Sequence, residues 1–166
     1  MERSKTTRRY TGVNKKMKSI RDETCRNELI GRINNLTTDA KPAWGKMSVE
    51  QMLSHLVQSH EMPFASSVPD TSNWMSRNVI KTLVVYLLPV PKGVPTPAEL
   101  NQQEKGRPPQ GIDMDKAMAI EWINKLGTIP ADHDCLAHPF FGKLSAKQWA
   151  LLAHKHIDHH LRQFGA

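Results

Sequence analysis

The chain has 166 residues, of which 39% are hydrophobic, 23% charged and 6% aromatic. This length and apolar content predict one compact domain with its own core, and they exclude a disordered protein. Cys25 and Cys135 are too few for a disulfide framework or a cysteine-based zinc module. Reduced cysteines favour a cytoplasmic protein.

The positive charge is concentrated at the N-terminus. Residues 1–20 carry seven basic side chains and one acidic one, whereas the other 146 residues carry 16 basic and 15 acidic ones. The nearly neutral remainder argues against a broad nucleic-acid-binding face. We expect residues 1–16 to be a basic disordered tail, or to precede the true start at Met17, and residues 17–166 to form a single helical domain. No apolar stretch follows the tail, so it is not a secretory signal.

Start signals predict the first two helices. Asp22 is an N-cap candidate for a helix over about 21–36. A second helix over about 48–64 begins with a capping box, in which the Ser48 side chain accepts from the Gln51 N–H and the Gln51 side chain reaches back to the Ser48 N–H.

A third helix is predicted over about 72–88. Its apolar run, 83–88, lies between Lys81 and Pro89 and is too short to span a membrane, which takes about 20 apolar residues. We expect a buried or interface helix, although periodicity alone also allows a buried strand. The proline-rich residues 89–111 form a long irregular connection.

The fourth helix is predicted over about 113–126. Asp113 is its expected N-cap, and Asp115 is expected to favour the positive end of the helix dipole. Gly127 suits the position that follows the last helical residue.

The last helix, over about 145–164, repeats the start signal of the second. Ser145 and Gln148 form its capping box. No βαβ alternation, glycine-rich dinucleotide fingerprint or P-loop occurs in the sequence. An all-α bundle is therefore the expected fold class.

Three histidines form a candidate metal site. His156 and His160 lie one turn apart on the inward side of the last helix, so their ring nitrogens could reach one ion at about 2.0–2.1 Å each. His55, at the edge of the apolar stripe of the second helix, is the third candidate ligand. The alternative is that these are core histidines hydrogen-bonded to carbonyl or carboxylate groups. A helix with four histidines in seven residues contains some such pairing by chance.

Two classes of hydrolase are excluded by their missing motifs. Ile157 follows His156, so the HExxH motif of zinc peptidases is absent together with its general base. No G-x-S-x-G motif occurs, and no serine or cysteine has a base beside it in the sequence.

Two stretches resemble an uncharacterised bacterial branch of the DinB/YfiT-like superfamily. The first is WGKMSVEQMLSHL at residues 44–56. The second begins with HPFFGKLS at 138–145 and ends with HIDHHLRQFG at 156–165. The resemblance covers about residues 17–166.

The resemblance implies a four-helix bundle with an additional apolar helix. Its metal site would be built by His55, His156 and His160, and the ion would be divalent, most often zinc or nickel. It also implies a cytoplasmic, often dimeric protein with a small-molecule substrate, in some relatives a low-molecular-weight thiol. The expected function is thus a metal-dependent thiol S-transferase or hydrolase. The alternatives are a non-catalytic helical module that dimerises through residues 72–88 and, ranked last, nucleic-acid binding by the tail.

Four further residues are weaker candidates near such a site. Gln163, about one turn after His160, could orient a ligand. His138 and the pair Phe140–Phe141 could line its mouth, although loop residues before a helix more often pack against it. The sequence assigns no residue a catalytic role.

Overall fold

A computed structural model describes residues 17–65, 68–94 and 96–166 of the chain. These ranges contain no strand, only an isolated bridge between His138 and Gly142, in agreement with an all-α fold. The predicted tail, residues 1–16, lies outside them. The α-helices are α1 (Glu23–Asn34), α2 (Val49–Glu61), α3 (Ile112–Thr128) and α4 (Ala146–Gln163).

Capping boxes begin both α2 and α4, as predicted. The Ser48 hydroxyl accepts from the Gln51 N–H at 3.2 Å, and the Gln51 side-chain oxygen accepts from the Ser48 N–H at 3.0 Å. Ser145 and Gln148 make the same two bonds at 3.3 and 3.0 Å. Each box satisfies N–H groups that the first helical turn leaves without partners. Helix α2 ends three residues earlier than predicted, and residues 62–64 form a turn around Pro63.

The N-cap predicted for the first helix is confirmed, but that of the fourth is wrong. The Asp22 carboxylate accepts from the Cys25 N–H at 3.2 Å at the start of α1. Helix α3 begins one residue before Asp113 and follows Gly111, whose φ of 100° is open to glycine. Asp113 is exposed and caps nothing, while Asp115, expected to act through the helix dipole, is fully buried in an ion pair.

Gly127 lies inside α3 rather than after it. The helix continues to Thr128, so the predicted helix end is wrong. A Cβ atom at Gly127 would lie 2.7 Å from the backbone oxygen of Ile20 and 2.9 Å from the Arg26 side chain. Glycine is required here because the chain before α1 passes close to the α3 backbone.

The four α-helices share one core. Burial of a single Leu or Ile side chain stabilises the fold by about 1.5–3 kcal/mol, so a core that buries many such side chains fixes how the helices pack. All four helices and the loop before α4 contribute its fully buried side chains, which include Leu29, Ile33, Met52, Leu53, Leu56, Ile123, Leu126, Leu144, Ile157 and Leu161.

The predicted third helix is helical, with two π-helices at Ser76–Ile80 and Leu83–Leu87. We call residues 74–88 the π-helical segment. Its helical conformation rules out the strand alternative. Val85 is buried, whereas Trp74 is 73% and Leu87 70% exposed. The segment is therefore not a buried helix, and most of its apolar side chains face away from the core.

The π-helical segment contacts α4 through a lysine. Lys155 Nζ donates hydrogen bonds to the carbonyl oxygens of Val84 at 2.7 Å and Leu88 at 2.8 Å. These bonds hold the segment on the same helix that carries the histidine pair. Of the helices within the described ranges, none is long and apolar enough to cross a membrane.

The proline-rich connection is irregular, as predicted, and it lies along α2. Ser54 Oγ donates to the Arg107 carbonyl at 2.7 Å, and Gln58 Nε2 donates to the Glu99 carbonyl at 2.8 Å. The Arg107 N–H in turn donates to Gln58 Oε1 at 3.1 Å. Polar side chains of α2 thus fix residues 99–107 against the helix, and one carbonyl group of this stretch contacts His55.

Candidate metal centre

Helices α2 and α4 bring His55, His156 and His160 together. The His55 and His156 Nε2 atoms are 3.2 Å apart, and the His160 and His156 Nε2 atoms are 3.0 Å apart. Each of the three residues offers one nitrogen to a group in which all nitrogens lie within 4.8 Å of one another. The three histidines that the sequence singled out therefore form one group that could hold a metal ion.

Hydrogen bonds fix the tautomers of His55 and His160. His55 Nδ1 lies 3.1 Å from the Leu100 carbonyl oxygen, which can only accept, so this nitrogen donates. His160 Nδ1 lies 2.9 Å from Gln163 Oε1 and donates to it in the same way. In a neutral ring, each bond leaves Nε2 without a proton. Metal-ligating histidines are commonly oriented by such bonds from their other nitrogen.

Gln163 has a different role from the one expected. Its side-chain oxygen accepts from His160, and its Nε2 donates to the Trp44 carbonyl at 2.6 Å. It therefore orients a histidine rather than an external ligand. Gly45 permits this contact, because its φ is 80° and a Cβ atom there would lie 2.7 Å from Gln163 Nε2. The stretch before α2 is thus part of the support of the site.

Burial keeps the three imidazoles neutral near pH 7. It lowers the pKa of His55 from 6.5 to about 4 and that of His160 to about 3. The pKa of His156 is also well below its usual value, first through burial and then through the neighbouring His160 and His55. Neutral imidazole is the form that binds a metal ion.

The donor set and spacing of the group fit a metal ion. Two nitrogens at about 2.0–2.1 Å from a tetrahedral zinc ion lie roughly 3.3 Å apart, and an octahedral ion brings them to roughly 2.9 Å. The separations of 3.2 and 3.0 Å fall between these values. His156 Nε2 carries at most one proton, so a hydrogen bond to one neighbour leaves the other short nitrogen–nitrogen contact without a proton of its own, whereas a cation would accept the lone pairs of all three nitrogens.

Comparison with known families gives one match over most of the chain. A family described as "Protein of unknown function (DUF1569)" matches residues 17–166. The chain belongs to this family. No curated protein and no solved structure matches the chain. All the candidate ligands of this DUF1569 member lie inside the matched region.

A fourth histidine beside the group was missed by the sequence analysis. His60 lies on α2, is buried, and has its ring centroid 5.7 Å from that of His156. Its position could have been found from the sequence, because it follows Leu56 by four residues and Val57 by three and so continues a buried row of the helix.

The other candidates of this DUF1569 protein serve the loop before α4. His138 Nδ1 accepts from the N–H groups of Phe140 at 3.0 Å and Phe141 at 3.3 Å, and the His138 ring packs on Trp149. Phe141 is buried and Phe140 exposed. These contacts order the chain before α4, and they give no support to a place at the mouth of the site.

Proposed function

We propose that this DUF1569 protein binds one divalent cation through His55, His156 and His160, and that it is a metal-dependent enzyme acting on a small molecule. One observation carries the proposal: three ring nitrogens from two helices converge, and two of the rings are held in the tautomer that binds metal. A chance pair of histidines on one helix would lack both the third ring and these supporting bonds.

The cation that we propose is zinc or nickel. Imidazole nitrogen is a preferred ligand of both, whereas magnesium and calcium take oxygen ligands. The group identified among the described residues consists of histidines alone, with no carboxylate. A site with three neutral nitrogen ligands keeps the full positive charge of the ion for a substrate.

The proposed reaction is hydrolysis or thiol S-transfer. His55, His156 and His160 would hold the cation with a coordination position left open, and the bound cation would supply a nucleophile near neutral pH by lowering the pKa of a water or thiol. The chain itself supplies orientation: the Leu100 carbonyl and the Gln163 side chain hold two of the three rings. A low-molecular-weight thiol is the substrate that we would test first.

We further propose that the four α-helices form a DinB-like bundle in a cytoplasmic protein. One ligand on the second α-helix and an i, i+4 pair on the last agree with the arrangement that the sequence resemblance implies. Cys25 and Cys135 are both free, which suits a reducing compartment.

The enzymatic proposal is tested by removing and restoring the metal. Protein freed of metal and reloaded with zinc or nickel is assayed for transfer of cysteine to an aromatic electrophile and for hydrolysis of activated esters. We expect turnover only in the metal-loaded protein, and none in His156→Ala. The matched control is His154→Ala, which removes a buried imidazole of the same helix outside the three-histidine group and should leave activity unchanged.

The two parts of this proposal can fail separately. A His156→Ala protein that keeps its full metal content would contradict the metal site. Wild-type protein that holds metal but is inactive in both assays would contradict these two reaction classes and favour the second candidate.

The second candidate is a non-catalytic module that dimerises through the π-helical segment. Met75, Val79, Leu83 and Leu87 are spaced four residues apart along it, and all four are exposed. A second copy of the chain would cover this apolar stripe. We expect a dimer in sedimentation that Leu87→Asp converts to monomers, whereas Leu136→Asp, at an exposed leucine elsewhere, leaves it intact. A wild-type monomer would contradict this candidate.

A further inference from the structure

His60 is close to the histidine group but is not one of its members. The ring centroids of His55, His156 and His160 lie 4.6–5.1 Å apart, whereas those of His60 and His156 lie 5.7 Å apart. The group whose ligand nitrogens lie within 4.8 Å of one another consists of His55, His156 and His160 and does not include His60. The His60 ring therefore lies next to the proposed cation site, and it is farther from His156 than the rings of His55 and His160 are.

The His60 side chain is buried with neither ring nitrogen satisfied. It is 2% exposed, and among the described residues neither Nδ1 nor Nε2 has a hydrogen-bond partner. Burial lowers the pKa of His60 to about 3, and the Leu56 carbonyl, one turn earlier, only opposes this shift, because it lies near the ring without meeting the geometry of a hydrogen bond. A buried donor or acceptor that loses its partner costs roughly 1–3 kcal/mol, so this arrangement is expensive unless something else binds there.

The neighbouring histidines do not share this feature. His55 and His160 each donate one ring nitrogen to a protein oxygen and direct the other into the group. His138, in the loop before α4, accepts from two backbone N–H groups. His60 is thus a buried imidazole next to the site with which no group of the described residues completes a hydrogen bond.

We propose that His60 hydrogen-bonds to the small molecule that occupies the open side of the cation, and so selects the ligands that the site accepts. This inference rests on the proposed metal site. A neutral imidazole offers one N–H donor and one bare acceptor nitrogen. The ligand class that fits is a small anion that binds the cation with one atom and keeps a lone pair for His60, such as a carboxylate or a thiolate.

The probe for this inference is azide added to the cobalt-loaded protein. Cobalt binding is first measured from its visible absorption, and azide is then titrated into the loaded wild type, His60→Phe and His60→Gln. We expect His60→Phe to bind cobalt within about threefold of wild type and azide about tenfold more weakly, as for the loss of one hydrogen bond. His60→Gln keeps an N–H donor and should restore azide binding to within about threefold.

The matched control is His154→Phe. This substitution removes another buried imidazole with an unpartnered Nε2, outside the three-histidine group, and should change neither affinity. If His60→Phe does not fold, His60→Met takes its place in the comparison with His60→Gln, with the same expected tenfold difference.

Two results would overturn the assignment of His60. Equal azide affinity in wild type and His60→Phe would show that His60 does not contact the ligand. A cobalt affinity reduced a hundredfold in His60→Phe would make His60 a direct ligand of the ion instead. Failure of the wild type to bind cobalt at all contradicts the metal site itself, and it is seen before any azide is added.

Discussion

Two polar clusters next to α2 differ in whether their buried atoms have partners. In the first, Asp115 is fully buried and accepts from Arg107 at 2.6 Å and from the Gln110 N–H at 2.8 Å. Arg107 also donates to Ser54 Oγ at 2.9 Å. In the second cluster the histidine nitrogens face one another, and His60 has no partner within the described residues.

The difference distinguishes a structural cluster from the proposed metal site. Desolvation of a charged pair is offset only when its remaining donors and acceptors are satisfied, as they are around Asp115. Buried imidazoles with converging lone pairs have no such compensation from the chain. The Arg107–Asp115 pair holds the proline-rich connection on α2 and α3, whereas the unmet nitrogens of the histidine group support the proposal that this group holds an ion.

The largest expected effect is the acid sensitivity of the histidine cluster. The folded pKa values of His55, His60 and His160 are about 3–4, below the unfolded value near 6.5. Between pH 6.5 and 4 these rings take up protons only on unfolding. Their contribution to the free energy of unfolding is therefore complete above pH 6.5 and is lost as the pH falls through this interval. Each of the three rings lowers the free energy of unfolding by about 1.4 kcal/mol for every pH unit of this decrease.

Urea denaturation of the metal-free protein from pH 7 to 4.5 measures this loss. Carboxylates with lowered pKa values, such as Asp158, contribute only below this range. An unfolding free energy that stays constant across the range would contradict the burial of neutral histidines.

The second prediction concerns the satisfied cluster. Asp115→Ala leaves Arg107, whose side chain is only 15% exposed, without its carboxylate partner and should lower the free energy of unfolding by about 3 kcal/mol in urea denaturation. Asp113→Ala, at an exposed carboxylate of the same helix turn, should change it by less than about 0.5 kcal/mol. The folded fraction of Asp115→Ala should still bind one ion per chain. Loss of the ion in folded Asp115→Ala would break the distinction between the two clusters.

The third prediction tests a residue that links the histidine cluster to the fold. Gln163→Leu removes the acceptor of His160 and should weaken zinc binding about 10–100-fold, as found for residues that orient metal ligands. Competition with a chelator dye measures this affinity. Arg162→Ala, at an exposed neighbour, should leave it unchanged. Unchanged zinc affinity in Gln163→Leu would mean that His160 needs no orientation.

The smallest expected effect belongs to the capping boxes, which begin α2 and α4. Ser48→Ala and Ser145→Ala each remove the acceptor for an N–H group of the first helical turn and should cost about 1 kcal/mol in thermal or urea unfolding. Ser145→Asp keeps an acceptor and should retain most of the stability. A loss above about 3 kcal/mol in either alanine variant would show that the box does more than cap its helix.

Local signals predicted the parts of the fold that depend on neighbouring residues. The boxes at Ser48 and Ser145 and the cap at Asp22 need partners only three residues away, so the sequence places them correctly. The phase of α4 then follows, and with it the inward pair His156 and His160. The predicted start of α3 is wrong because Asp113 has the side chain of an N-cap residue without acting as one. Only the contact of Asp115 with Arg107 shows that Asp115 is the carboxylate that turns inward.

No signal in the sequence predicted the contacts between residues that lie far apart in the chain. Gln163 contacts the carbonyl of Trp44, which is 119 positions away, and His55 contacts that of Leu100 in the irregular connection. Neither pairing has a periodic or spacing signal. For His60 a sequence signal was present, because its place in a buried helical row could be seen. The sequence analysis did not single it out, since such a row more often holds apolar core residues than a group beside a binding site.

The metal content of untagged protein tests the central claim most directly. Elemental analysis after purification, and again after incubation with equimolar zinc or nickel and removal of the excess, gives the number of ions per chain. We predict one divalent ion per chain in wild type and less than a tenth of that in a variant with His55, His156 and His160 all replaced by alanine. Folded wild-type protein that retains no ion under either condition would contradict the assignment of the three histidines.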